Sequence, residues 1–293
     1  MYRGQTVAVV IPAHDEAAFV GDVVAATPGF VDRLFVVDDA SSDDTTAVAL
    51  AAADPETEAT DGFDASDCSL GERVAETGRR GRVVLLRHGE NRGPGGAVVT
   101  GYLAALAGDA DVVATIDGDG QMAPDELGRF LDPLVDGDAD YAKGTRLRRR
   151  EDAAEMPRFR QFGNGLLTQL CRLSSGYHSL TDPVNGYTAI TREALTAIDP
   201  ASVYEGYGYG TQLLGRLHAD GRRLVDVPHA SQYGEEESGI DVRRYAVRVS
   251  ALLLRTFAWR LATEWLGSHD DEAPWVADRV APDRAPAPWG WEP

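Results

Sequence analysis

The sequence of 293 residues predicts an α/β protein built on a doubly wound, mostly parallel sheet. Two observations lead to this prediction: short β-branched runs alternate with helical segments, and polar clusters directly follow several of these runs. Continuous apolar runs of this kind are typical of strands that helices cover on both faces. Because ligands of such sheets bind beyond the carboxyl ends of the strands, the polar clusters become the candidate site.

Strands and helices alternate over the first 116 residues. The β-branched run 6–11, ended by Pro12, predicts the first strand. Further strands are predicted over 33–37, 82–86 and 111–116, and helices over 16–27, 42–53 and 95–107. Residues 54–80 are acidic, contain glycine and lack periodicity, so they are predicted to form an exposed insertion.

The second half of the chain follows a different order. A basic run at 146–150 precedes a predicted helix over 159–173, a turn at 182–186 and a short strand to about residue 191. Helices over 193–198 and 209–219, a strand over 223–227 and a long helix over 241–266 follow. We therefore expect one domain over 1–240, an amphipathic helix over 241–267 and a disordered tail over 268–293.

The composition restricts the class of protein. An apolar content of 43% and a charged content of 26% are those of a folded soluble chain. The formal net charge is −19 and Lys143 is the only lysine, which is typical of halophilic proteins; an acidic interaction surface is the alternative. General nucleic-acid binding is excluded because the chain lacks a basic footprint.

Cysteine usage and segment hydropathy give the expected compartment. Cys68 and Cys171 share no short spacing, so neither a metal site nor a disulfide framework is predicted. No signal peptide or membrane-spanning run is recognisable in the sequence. A cytoplasmic location is the resulting expectation.

Two carboxylates stand where the strand 111–116 ends. Asp117 and Asp119 are separated by one glycine, and Gln121 follows them. Their oxygens are hard ligands of the kind that Mg²⁺ and Mn²⁺ prefer. An Asp-x-Asp pair alone is more typical of an acidic surface turn, but its place at the ligand-binding edge favours a metal site.

Several motifs, taken together and in this order, resemble those of family 2 glycosyltransferases and, within that family, the polyprenyl-phosphate (dolichyl-phosphate) hexose synthases. The matching segments are 7–16 (VAVVIPAHDE), 36–45 (VVDDASSDDT), 91–101 (NRGPGGAVVTG), 115–121 (TIDGDGQ), 144–146 (GTR) and 182–187 (DPVNGY). Asp15 departs from the pattern, since the family usually has Asn there. The resemblance implies the GT-A fold and spans about 7–240.

The resemblance also implies roles for the polar residues. The base and ribose of a UDP- or GDP-hexose would be bound by Pro12, Glu16, Asp38 and Asp39, with Asp117 at the diphosphate. Glu16 is open to the alternative of an ordinary acid at a helix start. The bound Mg²⁺ or Mn²⁺ would lie on Asp117, Asp119 and Gln121, so that Asp119 counts among the catalytic residues.

The expected acceptor follows from what the sequence lacks. Sugar-acceptor relatives place a carboxylate base, often Glu-Asp, in the segment matching 205–212, and no such pair occurs here. A lipid phosphate is already anionic and needs no base. By resemblance Arg146, Arg160 and Asn164 would hold that phosphate, with the two arginines catalytic, and arginine suits phosphate oxygens.

The helix pattern over 241–266 has two stripes. Arg244, Arg248 and Arg255 fall on one side, and an apolar stripe falls opposite, with Val249 and Leu253 among its members. Such a helix suits an anionic membrane interface, and the alternative is a helix that packs on the core. The expected protein therefore lies peripherally at the cytoplasmic face of a membrane.

The expected function is inverting, metal-dependent transfer of a hexose to polyprenyl (dolichyl) phosphate for protein or envelope glycosylation, in an organism that the composition suggests is haloarchaeal. A glycosyltransferase with a soluble or glycan acceptor is the alternative. A catalytically silent nucleotide-sugar-binding protein is a third reading, which the presence of both Asp117 and Asp119 disfavours.

Overall fold

The computed structural model describes residues 1–55, 70–146, 158–229 and 242–266; within these, only the backbone is described for 158–166, 242–248 and 264–266. Eight strands form one sheet: β1 Val7–Ala13, β2 Arg33–Asp38, β3 Val74–Arg80, β4 Val83–His88, β5 Val112–Thr115, β6 Tyr141–Thr145, β7 Thr188–Thr191 and β8 Leu224–Pro228. The helices are α1 Val20–Ala26, α2 Thr45–Ala51, α3 Pro94–Ala107, α4 Leu127–Val135, α5 Arg158–Ser175, α6 Arg192–Ala197, α7 Tyr209–Ala219 and α8 Val242–Leu266.

The strand order is β3-β4-β2-β1-β5-β7-β6-β8. Strands β1, β2, β4 and β5 are parallel to one another, and β6 and β8 run in the same direction. Only β3 and β7 are antiparallel to their neighbours. The prediction of a mostly parallel α/β sheet is therefore confirmed.

Helices cover both faces of the sheet. One core contains buried side chains of α3, α5, α7 and α8, and the other contains those of α1, α2 and α4. The central strands β1 and β2 are buried along nearly their whole length, which explains their continuous apolar runs. The carboxyl ends of six strands and the start of β7 meet at one edge, so the loops there are close in space.

The predicted insertion over 54–80 is wrong for its last part, because residues 74–80 form β3. This strand, VAETGRR, pairs with β4 at the edge of the sheet and leaves most of its side chains exposed. An edge strand needs no apolar face, so its sequence shows none of the alternation that identifies other strands. Residues 56–69 lie outside the described part of the chain.

Two members of the apolar stripe that was predicted to face a membrane are buried in the protein. Val249 and Leu253 of α8 are each 4% exposed and belong to the core that α8 shares with α5 and α7. Arg260 is also buried and donates hydrogen bonds to the carbonyls of Ser174 and Leu173 at the end of α5. The core-packing alternative therefore describes this face of α8.

The described helices contain no segment that is both long enough and apolar enough to span a membrane. The predicted tail over 268–293 lies outside the described residues.

Candidate active site

Asp117 and Asp119 lie where β5 gives way to a loop. The N–H of Gly118 donates to the carbonyl of Pro12 at 3.1 Å, which ties this loop to the end of β1. Gly120 has φ +74°, a value that favours glycine, and the N–H of Gln121 donates to Asp119 Oδ1 at 2.9 Å. The glycines thus turn the chain so that both carboxylates remain at the sheet edge.

The turn at 182–186 covers one side of Asp117. A β-carbon placed on Gly186 would lie 2.2 Å from Asp117 Oδ2, a distance that no side chain allows. The glycine is therefore needed because the backbone passes directly against the carboxylate. This contact explains why the DPVNGY motif has a glycine at position 186.

The electrostatics of Asp117 fit a divalent cation. Burial and, secondly, the neighbouring charge of Asp119 raise the pKa of Asp117 to about 7, while Lys143 and Arg146 act in the opposite direction. Among the described residues, no side-chain donor is hydrogen-bonded to the Asp117 carboxylate. The negative charges of the two carboxylates repel each other, and a hard divalent cation bound between their oxygens would relieve this repulsion.

The ligand set within the described residues is small. No group of three His, Cys, Asp or Glu side chains that could hold a metal occurs in that part of the chain. The predicted set of Asp117, Asp119 and Gln121 therefore supplies two carboxylates and one amide, and it stays a prediction. A cation bound there would keep further positions for diphosphate oxygens or water.

Lys143 is buried beside these carboxylates. It lies on β6, is 2% exposed, and its Nζ donates to the carbonyl of Asn185 at 2.6 Å. Burial lowers its pKa to about 8, against the opposing charges of Asp182 and Asp226. Since Asn185 precedes Gly186, the lysine holds the segment that covers Asp117. Sequence reasoning noted Lys143 only as the single lysine and did not assign it to the site.

Arg146 follows β6 at the same edge and is held by Asp182. Arg146 Nε lies 2.8 Å from Asp182 Oδ2 and Nη2 lies 3.3 Å from Oδ1, so the carboxylate binds two nitrogens of the guanidinium. Asp182 is 1% exposed, and hydrogen bonds from Arg146 keep the pKa of its carboxyl low despite burial. The guanidinium is therefore fixed in orientation close enough to Asp117 to affect its pKa.

The other two acceptor candidates lie on α5. Arg160 and Asn164 belong to its first two turns, and their side chains lie outside the described part of the structure. Their role remains a prediction from the sequence.

Asp38 and Asp39 are engaged by the protein itself. Asp38 Oδ1 accepts from the N–H and the hydroxyl of Ser41, and Oδ2 accepts from Thr46. Asp39 Oδ1 is hydrogen-bonded to His88 Nδ1 at 2.6 Å and to the N–H of Arg92, and Oδ2 accepts from Gly93. Both residues are fully buried. Both carboxylates hold neighbouring loops through these bonds, and their contacts to the base and ribose of a nucleotide stay a prediction.

Pro12 and Glu16 flank the start of the same edge. Both are partly exposed, and the N–H of Glu16 donates to Thr45 Oγ1 at 2.8 Å. Glu16 also lies just before α1, and its carbonyl accepts a hydrogen bond from the N–H of Val20 at 2.9 Å. The nucleotide-binding role of Pro12 and Glu16 therefore stays a prediction. The alternative, that Glu16 is an ordinary acid at a helix start, also stays open.

Residues 205–212, the segment in which sugar-acceptor relatives place a carboxylate base, make structural contacts in this protein. Glu205 forms ion pairs with Arg73 at 2.5 Å and with Arg92 at 3.3 Å. Gln212 Oε1 accepts the N–H of Tyr204 at 2.6 Å.

The profile of glycosyl transferase family 2 matches residues 8–198. The chain belongs to this family. The match covers the edge built from β1, β2, β4 and β5 together with Arg146 and the turn at 182–186. It confirms the resemblance drawn from the motifs and the enzyme class, a glycosyltransferase.

The names of three relatives refer to lipid phosphates. The chain is 31% identical over 245 residues to a polyprenol monophosphomannose synthase of Mycolicibacterium smegmatis, covering 80% of each protein. It is 29% identical over 154 residues to a UDP-N-acetylglucosamine–dolichyl-phosphate N-acetylglucosaminyltransferase of Methanococcus voltae, covering 53% of this chain and 61% of that protein. A dolichyl-phosphate hexose transferase of Haloferax volcanii is 33% identical over 135 residues, 46% of this chain and 56% of that protein.

Solved structures share the fold. Glucosyl-3-phosphoglycerate synthase of Mycobacterium tuberculosis, crystallised with Mg²⁺ and uridine diphosphate, superposes with a TM-score of 0.56 at 23% identity. The superposition covers 88% of this chain and 79% of that one. The GT-A fold expected from the motifs is thereby confirmed.

Proposed function

We propose that this glycosyltransferase transfers a hexose from a nucleotide sugar to a polyprenyl phosphate. The observation that carries the proposal is the guanidinium of Arg146, fixed by Asp182 at the same sheet edge as the Asp117 carboxylate. A cation held in this way suits an anionic acceptor, because the planar guanidinium can bind two phosphate oxygens. The names of the mycobacterial, methanogen and haloarchaeal relatives support the same acceptor class.

The proposed chemistry needs no general base. A phosphate oxygen of the acceptor attacks the anomeric carbon as the bond to the nucleoside diphosphate breaks, and no proton has to be removed. Glu205 is ion-paired and Gln212 is not an acid, which agrees with this requirement. When bound at Asp117, Asp119 and Gln121, Mg²⁺ or Mn²⁺ supplies Lewis-acid stabilisation of the leaving diphosphate.

The remaining residues of the site would position the reactants. Lys143 would hold the segment that contains Gly186 against the Asp117 carboxylate. Asp182 would orient Arg146 toward the acceptor, and Arg160 and Asn164 would complete the phosphate site from α5. Pro12 and Glu16 would line the nucleotide pocket.

Membrane contact is also part of the proposal. The lipid acceptor requires the protein to work at a membrane surface, and exposed leucines occur on α5 and α8, which pack against each other. They are Leu170 and Leu173 of α5, at 38% and 54% exposure, and Leu254 of α8, at 69%. The cytoplasmic face follows from the supply of nucleotide sugars.

The test is a panel of UDP- and GDP-sugars with dolichyl phosphate or a soluble glycan as acceptor, in molar KCl with Mn²⁺ or EDTA. We expect a lipid-linked sugar that forms with Mn²⁺ and not with EDTA. Arg146→Met should raise KM for the lipid phosphate about tenfold or more, since a charge-assisted bidentate contact is lost, and leave the donor KM unchanged. Arg129→Met is the matched control, because Arg129 is half-exposed and paired only with Glu126 among the described residues.

Two results would contradict the proposal. Sugar transfer to the glycan with no lipid product from any donor would assign the enzyme to the alternative acceptor class. Equal lipid KM values for Arg146→Met and Arg129→Met would remove Arg146 from the acceptor site.

A further inference from the structure

Lys143 on β6 and Asp226 on β8 are register partners on adjacent parallel strands. Residues paired in this way have their side chains on the same face of the sheet. Burial lowers the pKa of Lys143 to about 8, and the charges of Asp182 and Asp226 oppose this shift. Burial also raises the pKa of Asp226, against the hydrogen bonds from Thr181 and the charge of Lys143. The two residues therefore form a pair of opposite charges in a desolvated environment.

One oxygen of Asp226 depends on this pairing. Asp226 Oδ1 is buried and has no hydrogen-bond partner among the described residues. Burying a carboxylate oxygen in this state is costly unless a compensating charge lies nearby. The ammonium of Lys143, at the neighbouring register position, supplies that charge. Each residue of the pair thus offsets the cost of burying the other.

The pair also holds the turn at 182–186 from both of its ends. Before the turn, Asp226 Oδ2 accepts the N–H of Thr181 at 3.0 Å and the hydroxyl of Thr181 at 2.7 Å. Near the other end, Lys143 Nζ donates to the carbonyl of Asn185 at 2.6 Å. Hydrogen bonds to charged groups are about twice as strong as those between neutral groups. One end of the turn is therefore fixed to β8 and the other to β6.

The two ends of this turn contact different parts of the candidate site. At the first end, Asp182 orients Arg146, whose Nε lies 2.8 Å from Asp182 Oδ2. At the other end, the backbone of Gly186 lies directly against the Asp117 carboxylate. A displacement of the turn would therefore move the guanidinium and the carboxylate relative to each other.

We propose that Lys143 and Asp226 act together as positioning residues, which hold the turn at 182–186 and thereby set where Arg146 lies relative to Asp117. The proposal deepens the proposed function and rests on it, because that function assigns Asp117 to the metal and Arg146 to the acceptor. Neither residue of the pair has to touch a substrate. Lys143 acts through Asn185 at the metal end of the turn, and Asp226 acts through Thr181 at the acceptor end.

Lys143→Met tests the metal end, since it keeps the length of the side chain and removes its charge and its donor. Asn185 then loses its bond to β6, and the backbone beside Asp117 is released. Binding of Mn²⁺ should weaken about tenfold, because outer partners of a metal site have effects of this size. The measurement is the EPR signal of free Mn²⁺ during titration, with whichever of UDP and GDP the unmodified chain binds more tightly.

Asp226→Ala tests the acceptor end, since it removes both bonds to Thr181. The KM for the lipid phosphate should rise about tenfold, because the orientation of a charge-assisted contact is lost, while Mn²⁺ binding should change much less. Asp226→Asn keeps a carbonyl oxygen that can accept from Thr181, so it should recover most of this loss.

Asp140→Ala is the matched control. Asp140 directly precedes β6, and its Oδ2 accepts the N–H of Arg223, which directly precedes β8, at 2.8 Å. It therefore joins the same two strands at the opposite edge of the sheet. Its removal should leave the Mn²⁺ affinity and the lipid KM unchanged. Equal values for Asp140→Ala and Asp226→Ala, with both chains folded, would overturn the role of Asp226.

The double variant Lys143→Met with Asp226→Asn separates positioning from stability. Each single variant leaves one charge without its counterpart and should lower the melting temperature. The double variant removes one charge of each sign, so most of the melting temperature should return. Its kcat should stay low, because Asn185 still lacks its donor. A kcat that recovers together with the melting temperature would reduce the pair to a stabilising role and overturn the proposal.

The Mn²⁺ titration needs no acceptor. Weaker Mn²⁺ binding in Lys143→Met, together with no lipid product from the unmodified chain, would defeat the proposed acceptor and support the role of Lys143 at the metal end. Equal Mn²⁺ affinities of Lys143→Met and Asp140→Ala would overturn that role whichever acceptor the enzyme uses.

Discussion

Asp117 is the residue at which the requirements of folding and of catalysis oppose each other. Burial and the charge of Asp119 raise its pKa to about 7, so the metal-free fold retains a proton there that an unfolded chain would release. The same desolvated charge would strengthen the binding of a cation. The ionised Asp117 carboxylate therefore destabilises the fold when no cation is bound, and a bound cation would offset this cost.

This opposition predicts how Asp117→Asn behaves. Because the folded pKa is raised, the contribution of Asp117 to stability is full below the ordinary aspartate pKa of about 4 and is lost as pH rises to about 7. Without metal, the variant should therefore melt at a higher temperature than the unmodified chain at about pH 8, and the difference should shrink toward about pH 5. Thermal melts with EDTA across this range measure it.

Addition of Mn²⁺ should affect the melting temperatures of the unmodified chain and of Asp117→Asn differently. It should raise the melting temperature of the unmodified chain, more at about pH 8 than at about pH 6 because protons compete for the carboxylate, and leave Asp117→Asn unchanged. A variant that Mn²⁺ stabilises as strongly as the unmodified chain would show that Asp117 is not a ligand.

At the scale of whole elements, the four strands predicted in the first half of the chain are those that helices cover on both faces. Strands β1, β2, β4 and β5 have continuous apolar runs because helices lie on each side of them. Strand β3 is polar since it forms an edge, and β6, with the sequence YAKGT, carries a buried lysine and a glycine where apolar residues are usual. Strand β3 was missed because an exposed edge strand has no apolar face, and β6 was missed because its burial depends on β7 and β8, which are distant in the chain.

The candidate site divides in a similar way. Asp117 and Asp119 were recognisable because they follow a predicted strand at the ligand-binding edge, and Arg146 was recognisable from the GTR segment of the family resemblance. Lys143 and Asp226 were not, since each acts through tertiary hydrogen bonds, to Asn185 and Thr181, that no local pattern predicts. The buried state of Asp38 and Asp39 likewise required the packed loops.

Helix α8 has one face in the core and another exposed to solvent, and two adjacent leucines lie on these two faces. Leu253 is 4% exposed in the core, whereas Leu254 is 69% exposed on the outside. Leu254→Gln should weaken binding to phosphatidylglycerol vesicles, measured by cosedimentation, and leave the melting temperature within a few degrees. Leu253→Gln should instead cost about 2–4 kcal/mol of stability, because it buries an amide and loses core packing.

Equal vesicle binding by Leu254→Gln and the unmodified chain, with both fully folded, would remove the outer face of α8 from the membrane contact. The exposed leucines of α5 would then be the next surface to test.

The whole molecule carries a net charge of −19, and this charge opposes the compact state. The candidate active site concentrates the same sign at Asp117 and Asp119, and Lys143 and Arg146 both interact with the buried carboxylate of Asp182. Screening by salt should therefore stabilise the fold far more than it weakens the site, whose charged contacts are largely buried.

The resulting prediction concerns potassium chloride. Raising KCl from about 0.1 M to about 2 M should increase the melting temperature, because repulsion among exposed carboxylates is screened. Replacing the exposed acids Glu90, Asp125 and Asp138 by their amides should raise the melting temperature at low salt and reduce the gain from KCl. The three substitutions lie outside the ion pairs of the described residues, so they change charge without breaking a contact. A salt response that stays as large in the triple variant, or a melting temperature that falls with KCl, would assign the acidic surface to an interaction partner rather than to a saline environment.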